Sequence, residues 1–351
     1  MTLRRMAHLI RERLFATPLD IAVTLAVAFL LWRTLVPLID WMFVDATYAG
    51  TSRADCINPG ACWVFIHARF GQFMYGLYPP AERWRVDLAG IILVATLALL
   101  FWKALPARRA AAIAALIILP PLGVWLLAGG FGLPEVETRD WGGLMLTIFI
   151  SLYAGLIAIP LGILLALGRR SELPVIRMLS IIFIEFWRGV PIVAVIFLAS
   201  ILLPLIMPSG VGVDRLARAV IGLGLVIAAY MAEAVRGGLQ AIPEGQHDAA
   251  AALGLSYWRT TGFIILPQAL RISLPAITNE FIALIKNTTL VLIVSILDLL
   301  GIAQASLADP AWVGMNKEAY VFAGFLYWIG CFSLSRFAFA LEQKRAKAER
   351  Y

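Results

Sequence analysis

The sequence predicts an all-α, polytopic membrane protein, and three observations carry that prediction. Of its 351 residues 61% are hydrophobic and only 15% charged. The mean hydropathy of +0.86 lies well above that of soluble domains. Apolar runs long enough for the ~20 residues that cross a hydrocarbon core recur along the chain. They are too long and too uniformly apolar for barrel strands, and in lipid only helices or closed barrels satisfy every backbone polar group.

Eight helices are expected, near residues 20–39, 86–105, 110–128, 141–167, 179–207, 218–236, 272–300 and 319–341. Arg4, Arg5, Arg11 and Arg13 precede the first. They are too many charges over too long a stretch for a cleavable signal, and no A-x-A site follows, so the N-terminus is expected to stay in the cytoplasm. Alternate loops fit that orientation through Lys103, Arg108 and Arg109, then Arg169, Arg170 and Arg177, then Lys344, Arg345, Lys347 and Arg350 in the tail. Opposite loops are more acidic, with Glu135, Glu137 and Asp140 against Arg139, and Asp309 and Glu318 against Lys317. The 40–85 loop carries Arg53, Arg69, Arg83 and Arg85, but long loops translocate largely regardless of charge. Eight spans then place both termini in the cytoplasm. The net charge of +7 reports this topology and contact with anionic headgroups, and no nucleic-acid partner is expected.

Cys56 and Cys62 fall in the first exported loop, close enough to pair if that compartment is oxidising; two free thiols fit the spacing as well. Cys331 reads as a packing residue of the last span.

The chain divides near Leu133-Pro134-Glu135. Residues 1–133 hold three spans and the large exported loop 40–85, with almost no polar residue inside a span, and read as a scaffold or docking module. Residues 134–342 hold five spans with nearly all the intramembrane charges and the Pro and Gly interruptions; 343–351 form a cytoplasmic tail. No internal repeat supports the inverted plan of many secondary carriers.

Within the second module the loop 243–267 is unusually regular. Pro243 and Glu244 suit a helix start, the alanines 249–252 are the best helix formers, and Gly254 suits a C-terminal cap. Ser256 is placed to cap a second turn through Tyr257-Trp258-Arg259, which is expected to run to Leu266 and stop at Pro267. The small side chains Ala249–Ala252 let another surface approach the backbone closely. An amphipathic helix on the inner leaflet is the alternative, but the first helix lacks the Lys and Arg that such helices use.

At these residues the loop resembles the signature of ABC-importer membrane subunits: E-A-A, three residues, G, nine residues, I-x-L-P. Here it reads Asp248-Ala249-Ala250, three residues, Gly254, nine residues, Ile264-Ile265-Leu266-Pro267. Only Asp248 departs, keeping the charge and shortening the reach. Glu185-Phe186-Trp187-Arg188-Gly189-Val190-Pro191, Tyr230 to Gly238, Leu266 to Arg271 and Asn279 to Thr288 are similar to blocks of permeases for polar amino acids. The resemblance covers about 138–342, and the added N-terminal spans resemble those of general L-amino-acid permease subunits. It implies that 243–267 docks on a cytoplasmic ABC ATPase dimer, with Asp248, Ala249, Ala250, Gly254, Ile264, Leu266 and Pro267 at the contact. It also implies a second permease subunit, heteromeric with this one, a periplasmic amino-acid-binding protein, and a multi-pass place in a bacterial inner membrane. ATP and its magnesium belong to the ATPase on this reading. No G-x-x-x-x-G-K-[ST] loop occurs here, so this chain is expected to bind no cofactor or metal and to catalyse nothing itself.

Charged groups at membrane depth cost ~2.5–3.5 kcal/mol each, so they need partners or a wet path. Glu185 and Arg188 share a helical face, and Gly189 and Pro191 make the next backbone easy to break. Glu233 and Arg236 repeat the spacing. An ion pair that only holds helices together is the favoured reading of Glu233 with Arg236, and it balances the functional reading for Glu185 with Arg188, because of that helix break. Farther on, Asn279 and Lys286 share one face and Glu280 and Asn287 the adjacent one, with Thr288 and Thr289 beyond. An amino-acid zwitterion needs a cation for its carboxylate and an anion for its ammonium, which Lys286 or Arg188 and Glu280 or Glu185 supply. Lys286, Asn287 and Thr288 are therefore expected to face a substrate path, the alternative being polar contacts between subunits. Gly222, Gly224, Gly237 and Gly238 are expected at close helix contacts.

Two other classes compete. An ion-coupled secondary carrier explains the intramembrane charges and leaves the loop without a purpose. An intramembrane enzyme needs a nucleophile–base or metal set, yet His8, His67 and His247 all lie outside the spans.

Overall fold

The computed structural model describes residues 14–101, 108–206 and 212–348, and among them there is no β-strand. The arginines at 4–13, Lys103 and Arg350 lie outside the described residues. Six helices among the described residues are long and apolar enough to cross a bilayer, and a bent pair makes a seventh when counted as one span. The backbone forms two compact units.

The first unit comprises residues up to Arg69 together with Leu307–Ala319. Helix α1 spans Pro18–Ile39, and Thr17 and Asp20 form a capping box at its start, so two of the unpaired first-turn amides are satisfied. After it the chain turns through a π-helical stretch, Asp40–Val44, into the loop that follows the first span. There Cys56 and Cys62 are joined in a disulfide, with Cα atoms 5.6 Å apart. The Asp55 carboxylate accepts from the Thr51 amide at 2.8 Å and the Ser52 amide at 2.9 Å. These bonds hold its pKa below the usual carboxylate range. Segment 307–319 closes over the loop: Glu318 accepts from the Cys62 amide at 3.1 Å, Asp309 pairs with Arg69, and Phe65 meets Trp312 with ring centres 5.6 Å apart. Helix α2, Trp63–Tyr75, begins within this unit.

The second unit comprises Phe70–Ser306 and residues from Tyr320 on. Helices α3 (Arg83–Phe101) and α4 (Arg108–Ala128) stand where the second and third spans are expected. After α4 the chain reverses in a two-residue turn, Gly130 and Leu133 exchanging both backbone hydrogen bonds at 3.0 and 3.2 Å. Its tip is Phe131, fully exposed and at φ +51°.

The core of this unit is α5 (Gly143–Arg169) against α8 (Arg215–Gln240). Small residues let the two backbones meet: a Cβ on Gly162 would stand 2.6 Å from Met231 Cβ, and one on Gly224 would stand 3.0 Å from Ile157 Cβ. Close approach multiplies dispersion contacts, which carry helix association in lipid. Gly238 likewise abuts Ala269, whereas a side chain on Gly237 would meet open space, so that glycine does not serve a close contact.

The span expected at 179–207 is not one helix. Helix α6 (Pro174–Gly189) ends before Pro191, and α7 (Ile192–Phe197) leaves at 101° before continuing through a π-turn to Ile206. Proline removes an amide and clashes with the preceding turn, and Gly189 offers no resistance to the bend. Past α8 come α9 (Gly245–Ala252) and α10 (Leu266–Asn287). A 3₁₀ segment, Thr288–Val294, then ends at Ser295, φ +58°, so the run 272–300 finishes earlier than expected. Helix α11 (Leu299–Ser306) is separate, and α12 (Asn316–Ala348) absorbs the described part of the tail expected from 343.

Candidate functional site

Helix α9 closes with the geometry Gly254 implies. The Leu255 amide donates to Ala250 O at 3.1 Å and the Gly254 amide to Ala251 O at 2.9 Å, with Gly254 at φ +68°. A side chain there would touch nothing within 4 Å, so the glycine is required by its backbone angle alone. Ala250 is buried, while Asp248, Ala249 and Pro267 are exposed. Around them Leu253, Trp258 and Phe263 are 78%, 78% and 82% exposed, an apolar crown on an otherwise short polar turn.

Two details differ from expectation. Ser256 precedes the next helix in extended conformation but its side chain makes no capping bond. Pro267 does not stop that helix. The turn Tyr257–Arg259 widens into a π-helix over Thr260–Ile265 and passes directly into α10, so one helical segment runs from the loop into the membrane. The wider turn accommodates a ring that would clash with the carbonyl four residues back in a regular helix. Gln268 Nε2 ties the start of α10 down, donating to Ile264 O at 2.8 Å and to Gln246 Oε1 of α9 at 3.3 Å.

The two charge pairs on α6 and α8 merge into one network through Arg169. Its Nη1 donates to Glu185 Oε1 at 3.1 Å and to Glu233 Oε1 at 2.7 Å. Arg236 grips the other oxygen of Glu233 through Nε at 2.9 Å and Nη2 at 2.7 Å, and donates to Gln240 at 2.8 Å. Arg188 is held more loosely, 4.0 Å from both Glu185 and Glu233, with its guanidinium 5.8 Å from the Tyr230 ring centre. Three guanidinium groups thus face two carboxylates, and the cation beside the α6 break is the least engaged.

Residues 158–347, more than half of the chain, match the family described as the binding-protein-dependent transport system inner membrane component. The chain belongs to that family. It is 51% identical over 95% of its length, and 92% of the relative's, to the inner membrane amino-acid ABC transporter permease protein YhdY of Escherichia coli (strain K12). It is 37% identical over 97% of its length, and 94% of the relative's, to the glutamate/glutamine/aspartate/asparagine transport system permease protein BztC of Rhodobacter capsulatus. Among solved structures, one reported as an amino acid ABC transporter with histidines superposes with a TM-score of 0.51 at 27% identity, covering 57% of this chain and 92% of that one.

In this inner membrane component the α10 residues separate into two groups. Asn279 and Lys286 are exposed and Glu280 and Asn287 half-buried, whereas Thr288 is fully buried and turned into the fold. Its hydroxyl donates to Ile285 O at 2.9 Å and lies 3.2 Å from Asp298 Oδ2. Asp298 in turn accepts from Tyr327 at 2.7 Å and from the Gly301 amide at 3.0 Å. Thr147 accepts from the Leu299 amide at 3.0 Å beside it. Sequence reading passed over Asp298, though a lone carboxylate between Leu297 and Leu299 is the signal to look for. Arg169 was counted only as a loop charge.

Proposed function

We propose that this chain is the membrane subunit of an ATP-driven importer that carries L-amino acids, polar or of broad range, across a bacterial inner membrane into the cytoplasm. The observation that carries the proposal is the continuous helical segment from the exposed crown at Trp258 to Lys286. It connects a surface with no use in a free-standing carrier to the polar face of the membrane core. The partner at Asp248–Pro267 is a cytoplasmic ABC ATPase dimer, which holds the ATP and magnesium. A second, heteromeric permease subunit and a periplasmic binding protein complete the assembly, and both termini face the cytoplasm.

The path for the amino acid runs along Glu185, Arg188, Glu280, Lys286 and Asn287. Arg188 and Lys286 meet the carboxylate, Glu280 the ammonium, and charge-assisted bonds of this kind replace the hydration the substrate loses. Thr288 supports the path from behind through Asp298. The amino-acid ABC permease names of the relatives support the substrate class.

Reconstitution with the partner subunits tests this. Uptake of amino acids that needs both ATP and the binding protein is the expected result. Uptake driven by an ion gradient with neither present would make the chain a secondary carrier and overturn the proposal.

A further inference from the structure

The hairpin between α4 and α5 presents a side chain that the fold does not use. Gly130 and Leu133 close it, and its two central residues, Phe131 and Gly132, have φ of +51° and +98°. Asn-Gly is the favoured pair for two such positions, because a Cβ is crowded there. Gly129, Gly130 and Gly132 all meet positive φ with glycine; Phe131 does not, and its ring is 100% exposed. Strain of this kind persists only where the surroundings fix it.

Here they do. Trp125 Nε1 donates to Gly130 O at 2.9 Å, and the Val136 amide to Ala128 O at 2.9 Å. Arg85, fully buried and paired with Glu82 at 3.1 Å, donates to Pro134 O at 2.9 Å. A Cβ on Gly129 would stand 2.1 Å from Pro134 O, so the two arms meet closely at their base. The ring is therefore carried on a turn with little freedom left to lose on contact, the property of a preorganised anchor.

Helices α5 and α8 show which end of the molecule this is. Gly224 meets Ile157 and Gly162 meets Met231, so the two helices run the same way. Thr138 donates to Asp214 at 2.6 Å just ahead of their starts, while Arg169 meets Glu233 toward their ends, from which α8 leads into 243–267. The hairpin thus lies at the end opposite the proposed ATPase contact. Beside its base Glu135, Glu137 and Asp214 border an open cleft with Ala128 and Gly129. The cations nearby are engaged, Arg139 by Glu137 at 2.8 Å and Arg215 by Val294 O at 3.4 Å. A fluid bilayer sets no direction for a side chain and would accept the ring from an unstrained turn, and its anionic headgroups are repelled by carboxylates. An apolar pocket with a Lys- or Arg-bearing rim on a soluble protein suits both the ring and the charges.

We propose that Phe131 is the anchor on which the amino-acid-binding protein docks, its ring entering an apolar pocket whose basic rim meets Glu135, Glu137 and Asp214. This rests on the importer reading above and adds to it a contact outside the residues 158–347 that match the family.

The test uses the transporter assembled in phosphatidylcholine nanodiscs with its ATPase and partner permease, and the amino-acid-binding protein as the probe. Phe131→Ala should weaken binding of that protein at least tenfold. Phe131→Asn, which suits φ +51°, should bind as weakly while melting no lower than wild type, separating lost contact from lost fold. Glu135→Gln with Glu137→Gln should slow association severalfold and flatten its salt dependence. Phe131→benzoylphenylalanine should cross-link to the binding protein on illumination. Wild-type affinity in both Phe131 variants, wild-type association in the glutamate variant, or cross-linking to lipid would overturn the docking assignment and leave the importer reading standing. Wild-type uptake that needs no binding protein would overturn both.

Discussion

Arg169 donates to Glu233 at 2.7 Å across 64 residues of sequence, and this one contact joins the end of α5 to the middle of the α8 charge pair. The same guanidinium nitrogen reaches Glu185 on α6. Three helices are therefore held at one point by a group that the positive-inside pattern assigns to a loop.

Arg169→Gln should loosen that point without unfolding the chain. Breaking a fully buried pair costs ~3–5 kcal/mol, but these side chains are 26% and 18% exposed and solvent reduces the loss to about 1–2 kcal/mol. Thermal unfolding in detergent should fall by a few degrees, about 2–4 °C per kcal/mol. An unchanged midpoint would show that the network is not a structural tie.

Gly254→Val places a β-branched side chain at φ +68°, a strain of about 1–2 kcal/mol, with no clash to add to it. The chain should stay folded, its melting temperature falling by no more than a few degrees, while co-purification with the ATPase is lost. Normal association and uptake would contradict the docking role.

Lys286→Ala should lower uptake at least tenfold, since a charged hydrogen bond contributes roughly 1.5–3 kcal/mol. ATP hydrolysis stimulated by substrate should fall with it. If both stay at wild-type level in a correctly assembled complex, Lys286 is not on the path.

Asp55 supplies a pH dependence in the loop after α1. Its folded pKa lies below the unfolded value of ~3.9, so its contribution is full above that value and disappears as pH falls through the folded one. Protection of the Thr51 and Ser52 amides from hydrogen exchange, taken relative to unstructured amides at the same pH, should therefore fall at the acid end in wild type. In Asp55→Asn the protection should already be low near neutral pH and depend little on acid. Equal profiles would show that the carboxylate does not hold the turn.

Much of this was legible in sequence because it is local. The glycine that ends α9, the break after Arg188 and the helical nature of each apolar run all depend on residues within a turn or two of one another. What sequence did not show depends on distance or on a compensating distortion. The Arg169 network joins residues 64 apart, and no local pattern marks them as partners. Pro267 reads as a stop by every local rule, and only the π-turn before it lets the helix continue. Thr288 sits beside Asn287 on a polar stripe, yet the tightening to 3₁₀ after Asn287 rotates it away from its neighbours and into the fold. The Cys56–Cys62 pairing stood as one of two alternatives until the loop's backbone brought them together.

The unbroken segment from Tyr257 to Asn287 has a mechanical corollary. Thirty-one residues at ~1.5 Å each make a strut of about 46 Å, with Pro275 inside α10 as a place to yield. A tilt of about five degrees pivoting at Asn287 sweeps Trp258 through an arc of ~4 Å on that length. On the proposed docking of 243–267, push and response are parts of one backbone rather than of two bodies in contact, and Pro275, the one proline in the interior of α10, is where the strut bends.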